Sequence, residues 1–434
     1  MNDNKYVKLD AEKRNEDSKK TPLGEGENRI RIRVEEDCMN NAKATTKQER
    51  YNMRNYLTEP QLQLQQKLSE AYELRYNVLT EQTEYRKKYS SDRFSLLDKR
   101  HMNTMCLELM EQGIRCWDKD VQRFIGSSRI DNYHPFAHYM NRLPLWDGKD
   151  RVEPLIRRIT SDPICIRAMY HWFIAMTAQW MNTETQTSNS LVPLLISEEQ
   201  GLGKSTFCRH LLPPVLRGYY TDMVELNAKG RIGQRLVQNG LINLDEFDRI
   251  PAHRMPYLKN IIQVKDVSLN RAYTGYFSNL PRIASFIGTS NRMDLLTDPT
   301  GSRRFICILI EAMIDNSPIE YDQLYAELKW LVDADERTYL THQEEEELQR
   351  HNRPFQRCSP SLNLFNEQFK ACEHDHGKWM TINDIVAQLT KKRSVAHLIN
   401  PFVLAKELTL IGIRKEHRRD GNYYYVEKRP PKLP

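Results

Sequence analysis

The stretch LVPLLISEEQGLGKSTFCRHLL, residues 191–212, constrains this chain more than any other. An apolar run ending at Ser197 reads as a buried strand, and the residues from Lys204 onward are spaced as a helix. The link between them carries Gly201 and Gly203, which let a backbone curl tightly without a Cβ in the way. Such a loop leaves N–H groups unpaired at the positive end of a helix dipole, which suits phosphate. The expected nucleotide contacts are Gln200, Gly201, Leu202, Gly203, Lys204, Ser205 and Thr206. Lys204 is placed to reach the β- and γ-phosphates of ATP, and Ser205 to ligate Mg²⁺. The P-loop pattern opens with glycine, where this chain has Glu198. That carboxylate either points harmlessly to solvent or repels nucleotide, and the intact inner loop favours the first.

A second apolar run, GLINLDEFDRI, delivers Asp245 and Glu246 to the carboxyl end of a strand, where α/β sheets bind ligands. Asp245 is the expected second Mg²⁺ ligand, and Glu246 the group that polarises the attacking water. A third strand, IASFIGTS, ends at Asn291, an amide placed to sense the γ-phosphate or hold that water. Arg303 and Arg304 follow, just before a fourth strand, FICILI. Either they are surface charges, or one serves a neighbouring subunit as an arginine finger, which makes the protein an oligomer arranged head to tail. Strands alternating with helical segments over 191–310 imply an α/β fold with a parallel sheet.

Between the acids and Asn291, residues 264–283 alternate apolar and polar about a turn at 273–276 and read as a hairpin. Lys265, Arg271, Tyr273, Tyr276 and Arg282 mix cations with rings, a combination suited to single-stranded DNA. The same residues also suit a hairpin packed within the core, since aromatics bury as readily as they stack.

The 434 residues are 39% hydrophobic and 28% charged, as in a folded soluble chain, and contain no apolar run of about 18 residues that would span a membrane. The polar start lacks a secretory signal, so a cytoplasmic protein without a membrane partner is expected. Residues 1–58 read as a poorly ordered charged leader, and 59–160 as a mixed, mainly helical domain with a hairpin over LRYNVLT and TEYRKKY. Within that domain Met105, Leu107, Leu109, Met110 and Ile114 are expected to form a buried face. Residues 161–349 hold the ATPase, introduced by an apolar helix whose Trp172, Phe173 and Trp180 belong to the core.

Net charge is +6, but residues 350–434 carry 16 Lys and Arg against 8 Asp and Glu, a basic module on a near-neutral body. It reads as helices over 362–372, 381–391 and 401–411, then a hairpin turning at Asp420 and Gly421: the winged-helix arrangement. Arg414, Lys415, Arg418 and Arg419 are then expected to touch duplex DNA beside the third helix, unless the module docks a protein and its basic face is merely solvated. The eight cysteines form no CxxC pair, and Cys358, Cys372, His374 and His376 suit zinc poorly in spacing.

The motifs LPLWDGKDRV, QGLGKST, LINLDEFD, RAYTG, FIGTSN and DPTGSRRF occur in that order over about 141–310. In that order they resemble the virulence-associated protein E family of P-loop ATPases, especially forms with a basic C-terminal extension. The resemblance implies an AAA+ core close to superfamily 3 helicases, a hexameric ring with ATP and Mg²⁺ between subunits, and 3′-to-5′ movement on single-stranded DNA. It also implies a channel hairpin at 264–283 and an arginine finger at Arg303 or Arg304. Some relatives carry an upstream primase; the first 140 residues here lack a spaced acidic triad, so no primase activity is expected. The leading expectation is an ATP-dependent DNA helicase or translocase of a phage or mobile element. A loader that binds without unwinding and a nucleotide-gated DNA-binding regulator are the alternatives.

Overall fold

The computed structural model describes residues 59–182, 188–222, 229–270, 277–297, 299–357, 359–372, 377–390 and 399–429. The expected leader over 1–58 lies outside them. After the helix Glu59–Ala71 the chain forms the foreseen hairpin, β1 (Tyr72–Asn77) and β2 (Gln82–Lys87), with Tyr72 opposite Lys87. Short strands β3 (Ser95–Leu96) and β4 (Asn132–Tyr133) flank it, and helices Lys99–Glu111 and Asp118–Ile125 complete a small core around Leu64, Leu68, Val121 and Phe124. Met105, Leu109 and Ile114 are buried as expected, but Leu107 is 60% and Met110 47% exposed. At about 100° per residue Leu107 points roughly 200° away from Met105, so it cannot share that face, and Cys106 is buried instead.

The central unit carries β5 (Val192–Ile196), β6 (Tyr220–Thr221) and β7 (Leu241–Leu244), then an antiparallel ribbon of β8 (Asp266–Asn270) and β9 (Phe277–Pro281), then β10 (Ser285–Ser290) and β11 (Phe305–Leu309). Five of these form one sheet in the order β11-β5-β10-β7-β6, and every pairing in it is parallel. The four expected strands are present, joined by β6 at one edge. Parallel strands buried on both faces need apolar residues at every position. Their side chains sort alternately: Leu195, Ile287, Ile306 and Ile308 pack on one face, and Leu194, Ile196, Phe286 and Cys307 on the other.

The first face is covered by the helices Pro163–Met181 and Tyr321–Asp333, the second by Lys229–Gln238 and Met255–Gln263. Asp162 caps the helix Pro163–Met181 by accepting from Ile164 N at 2.7 Å. Trp172, Phe173 and Trp180 are fully buried in the core, as expected of them. The indole N–H of Trp172 donates to Phe286 O at 3.0 Å and that of Trp180 to Gly240 O at 3.3 Å, so both are buried without leaving a polar atom unpaired.

Helix His342–His351 closes this unit, followed by Asn352 and Phe355, which also pack into it. Asn352 Nδ2 donates to Ser302 O at 2.8 Å and Phe305 O at 2.7 Å. The last unit holds helix Pro360–Gln368, β12 (Phe369–Ala371), β13 (Lys378–Thr381), helices Ile382–Leu389 and Pro401–Leu410, then β14 (Lys415–Arg418) and β15 (Gly421–Lys428). The first helix stops four residues before the expected Cys372, because the chain turns into β12 and pairs with β15. β15 pairs antiparallel with β12, β13 and β14, so the foreseen hairpin is part of a larger sheet. No helix among the described residues is long and apolar enough to cross a membrane.

Candidate functional site

The carboxyl ends of β5, β10 and β7 lie side by side and bring the expected loop, amide and acids together. β5 runs into Ser197 and the loop 198–203, in which Gly201 and Gly203 have φ of 82° and 85°. Both values lie in the left-handed region that glycine adopts without strain. Gly203 is also sterically confined: a Cβ there would sit 2.6 Å from Asn316 Nδ2. The loop is pinned to the segment after β11 by Ile314 N donating to Leu202 O at 3.0 Å. Glu198 and Gln200 are exposed, and the helix Lys204–His210 begins directly after Gly203 with Ser205 and Thr206 on its open side.

Lys204 is 8% exposed. Its ammonium donates to Ser197 Oγ and, at 2.9 Å, to Asn291 Oδ1 at the end of β10. Burial pulls its pKa below the ordinary lysine range, against the pull of Asp245 and Asp248, which favour the charge. Asp245 accepts from Thr289 Oγ1 and, weakly at 3.5 Å, from Ser205 Oγ. Glu246 adopts φ 52° and ψ 48°, a conformation rare for a non-glycine residue, and pairs with Arg249 at 2.6 Å. Asp248 accepts from Ser290 Oγ at 3.0 Å. Thr289, Ser290 and Asp248 escaped sequence reasoning; the signal was polar residues closing the apolar runs of IASFIGTS and LINLDEFD.

Arg303 and Arg304 are not part of this cluster. They precede β11, whose Phe305 pairs with Val192 at the start of β5. That is the opposite end of the sheet from the loop, about 16 Å away at roughly 3.3 Å per residue. Arg303 is held by Glu345 at 3.0 Å.

The ribbon β8–β9 is present, with Lys265 exposed at its base. Arg271, Tyr273 and Tyr276 lie outside the described residues. Arg282, grouped with them as a cation for DNA, is instead 3% exposed and turned inward. Its guanidinium donates to the carbonyls of Ala284 at 2.6 Å, Asn189 at 3.0 Å, Ile261 and Val264 at 3.3 Å, and Ile262. Burial pulls its pKa down to about 9. It anchors the ribbon to the core.

In the last unit Arg414, Lys415, Arg418 and Arg419 are exposed, along the β14–β15 hairpin. Arg414 lies 5.7 Å over the Trp379 ring and Arg418 lies 4.6 Å over that of Tyr423. Cys358, His374 and His376 are outside the described residues, and Cys372 is a buried thiol. Asp162, Cys165 and His351 form a cluster of metal-ligand types. The two imidazole nitrogens are already engaged, by Asp162 at 3.2 Å and Cys307 O at 2.7 Å, which accounts for the cluster as a structural contact.

A family model, the virulence-associated protein E-like domain, matches residues 140–357, half of the chain and all of the residues just described around the loop and acids. No match to a curated protein is found. Among solved structures, the apo structure of the NrS-1 C terminal region aligns at a TM-score of 0.44 and 11% identity, covering 86% of this chain and 99% of that one. The A form apo structure of that region aligns at 0.40 and 12%, covering 82% and 87%.

Proposed function

This chain belongs to the virulence-associated protein E-like domain family, and from that premise we propose that it hydrolyses ATP to move along single-stranded DNA as an oligomeric ring. The observation that carries the reading is the convergence of Lys204, Asn291, Ser205 and Asp245 at adjoining strand ends. A buried lysine bonded to a hydroxyl and an amide, beside a carboxylate and a second hydroxyl, matches the needs of a triphosphate with its cation.

The donor set fits Mg²⁺: Ser205 Oγ and Asp245 Oδ1 are hard oxygen ligands already next to each other. Held by Ser205 and Asp245, Mg²⁺ would neutralise phosphate charge. Lys204 exchanges Ser197 and Asn291 for phosphate oxygens, so the ammonium trades two neutral partners for charged ones. Asn291, released from Lys204, turns its amide to the terminal phosphate or the attacking water. Glu246, fixed at the strand end by its left-handed backbone, accepts hydrogen bonding from that water and orients it. Gln200, Leu202 and Thr206 contribute loop and helix N–H groups to the phosphates.

The position of Arg303 and Arg304 supports an oligomer, because neither reaches the loop of its own chain. Supplied by a neighbour, one of them stabilises charge developing in the transition state. Lys265 at the ribbon's base, with Arg271 and Tyr273 from the sequence between its two strands, are the proposed single-strand contacts in a hexameric channel. The C-terminal unit, with three helices and the β14–β15 hairpin, supports a winged-helix reading in which Arg414, Lys415, Arg418 and Arg419 meet DNA.

The test is phosphate release by purified protein with and without single-stranded DNA, beside Lys204→Ala. Wild type releases phosphate faster with DNA, and the variant falls to background. Equal release by both, or none by either, sinks the proposal.

A further inference from the structure

The geometry points to the outer face of the C-terminal sheet as a site for unpaired bases of single-stranded DNA, with Trp379, Tyr423 and Tyr425 as its stacking rings. β15 carries three consecutive tyrosines, and strand alternation separates them. Tyr424 turns inward with Val426 into the core, while Tyr423 and Tyr425 turn outward and stay half-buried. Trp379 of β13 pairs across from Tyr425, and Thr381 from Tyr423, so the indole joins the same outer face. None of the three rings belongs to the buried core cluster.

The cations interleave with these rings. Arg414 lies 5.7 Å from the centre of Trp379 and 5.9 Å from that of Tyr425; Arg418 lies 5.3 Å from Trp379 and 4.6 Å from Tyr423. The rings are held in place. The Tyr425 hydroxyl accepts from Gly377 N at 3.1 Å, the Tyr423 hydroxyl donates to Asp420, and Trp379 and Tyr425 stand 5.0 Å apart. Between Arg414 and Arg429 there are six Lys and Arg against three Asp and Glu, so the surround is cationic.

Alternating rings and guanidinium planes on one sheet face offer π faces to bases and charge to the phosphates between them. A duplex hides its base faces in the stack and presents only phosphates and groove edges, so it offers these outward rings no base to stack on. This site therefore takes a single strand. It rests on the β13–β14–β15 face alone and stands whether or not the loop at 198–205 binds nucleotide.

The test uses the full chain without nucleotide, binding labelled oligo(dT) and a duplex of equal length over a range of salt. Trp379→Ala and Tyr423→Ala are each expected to weaken oligo(dT) binding about ten-fold, the ordinary scale for losing one stacked base. Duplex affinity and the salt slope stay as in wild type. Trp379→Phe, which keeps a ring, recovers most of the loss. Trp379→Leu, which keeps apolar bulk without a π face, stays weak while melting as wild type does. Arg414→Ala instead lowers the salt slope. Unchanged oligo(dT) binding in both alanine variants overturns the proposal, and so does an equal loss on single strand and duplex. Phosphate release without DNA is unchanged in the Trp379 variants, so this outcome and that of Lys204→Ala are read separately.

Discussion

Lys204 and Glu246 separate binding from turnover. Lys204→Ala removes the cation beside Ser197 and Asn291, so nucleotide retention and phosphate release are both expected to vanish. Glu246→Gln keeps the shape but not the base: nucleotide binds within a few-fold of wild type while kcat drops about 10²–10⁴-fold, measured by equilibrium binding and phosphate release. A different carboxylate governs pH. Glu327 is 4% exposed, and burial, reinforced by Asp150, pushes its pKa up to about 7 while Arg151 N donates to it at 2.7 Å. Its folded pKa lies above the usual glutamate value, so the native state binds the extra proton and stability falls as pH rises from about 4.5 to 7. Melting temperatures of Glu327→Gln across that window are expected to lack this part of the decline; a decline equal to that of wild type refutes the assignment.

Among the elements, the ribbon β8–β9 is tied at its root by a buried cation. Arg282 donates to five backbone carbonyls at the ribbon's root, and Arg282→Leu removes that donor from each, Ala284 O still accepting from Gln179 Nε2 at 3.0 Å. A loss of at least about 3 kcal/mol is expected, read from the urea midpoint. The sequence pattern could not have revealed this, since an arginine closing a hairpin that also carries tyrosines looks the same whether it faces solvent or carbonyls. What was legible was the apolar runs: those at 191–197, 241–245, 283–290 and 305–310 announce buried parallel strands, and the polar residues ending the first three announce the site. Short elements such as β6 and β12 were illegible, because two or three residues carry no period and form only where a neighbouring strand offers hydrogen bonds. Leu107 and Met110 were misplaced for a related reason: counting apolar residues in a helix does not fix which side they occupy.

At the level of the whole molecule, the residues after 350 divide into those that serve the central unit and those that do not. Asn352 and Phe355 complete the packing around β11, so a chain ending at 349 is expected to aggregate or melt early, and one ending at 357 to remain folded. Only the second is a fair test of what the basic module adds to DNA binding, through the salt dependence of affinity. Subunit cooperation is tested by mixing. Lys204→Ala and the double variant Arg303→Ala, Arg304→Ala are each expected to be inactive alone, while mixtures recover phosphate release at the interfaces that join an intact loop to intact arginines. No recovery at any ratio counts against a finger supplied from outside.

The separation of loop and arginines to opposite ends of one sheet also dictates which assemblies are useful. A two-fold axis through like ends joins loop to loop or arginine to arginine and completes nothing, whereas an antiparallel two-fold pair sets each loop against its partner's arginines. A rotation that repeats in one direction likewise lets each protomer give at one end and receive at the other, and it wastes no site only when it closes on itself.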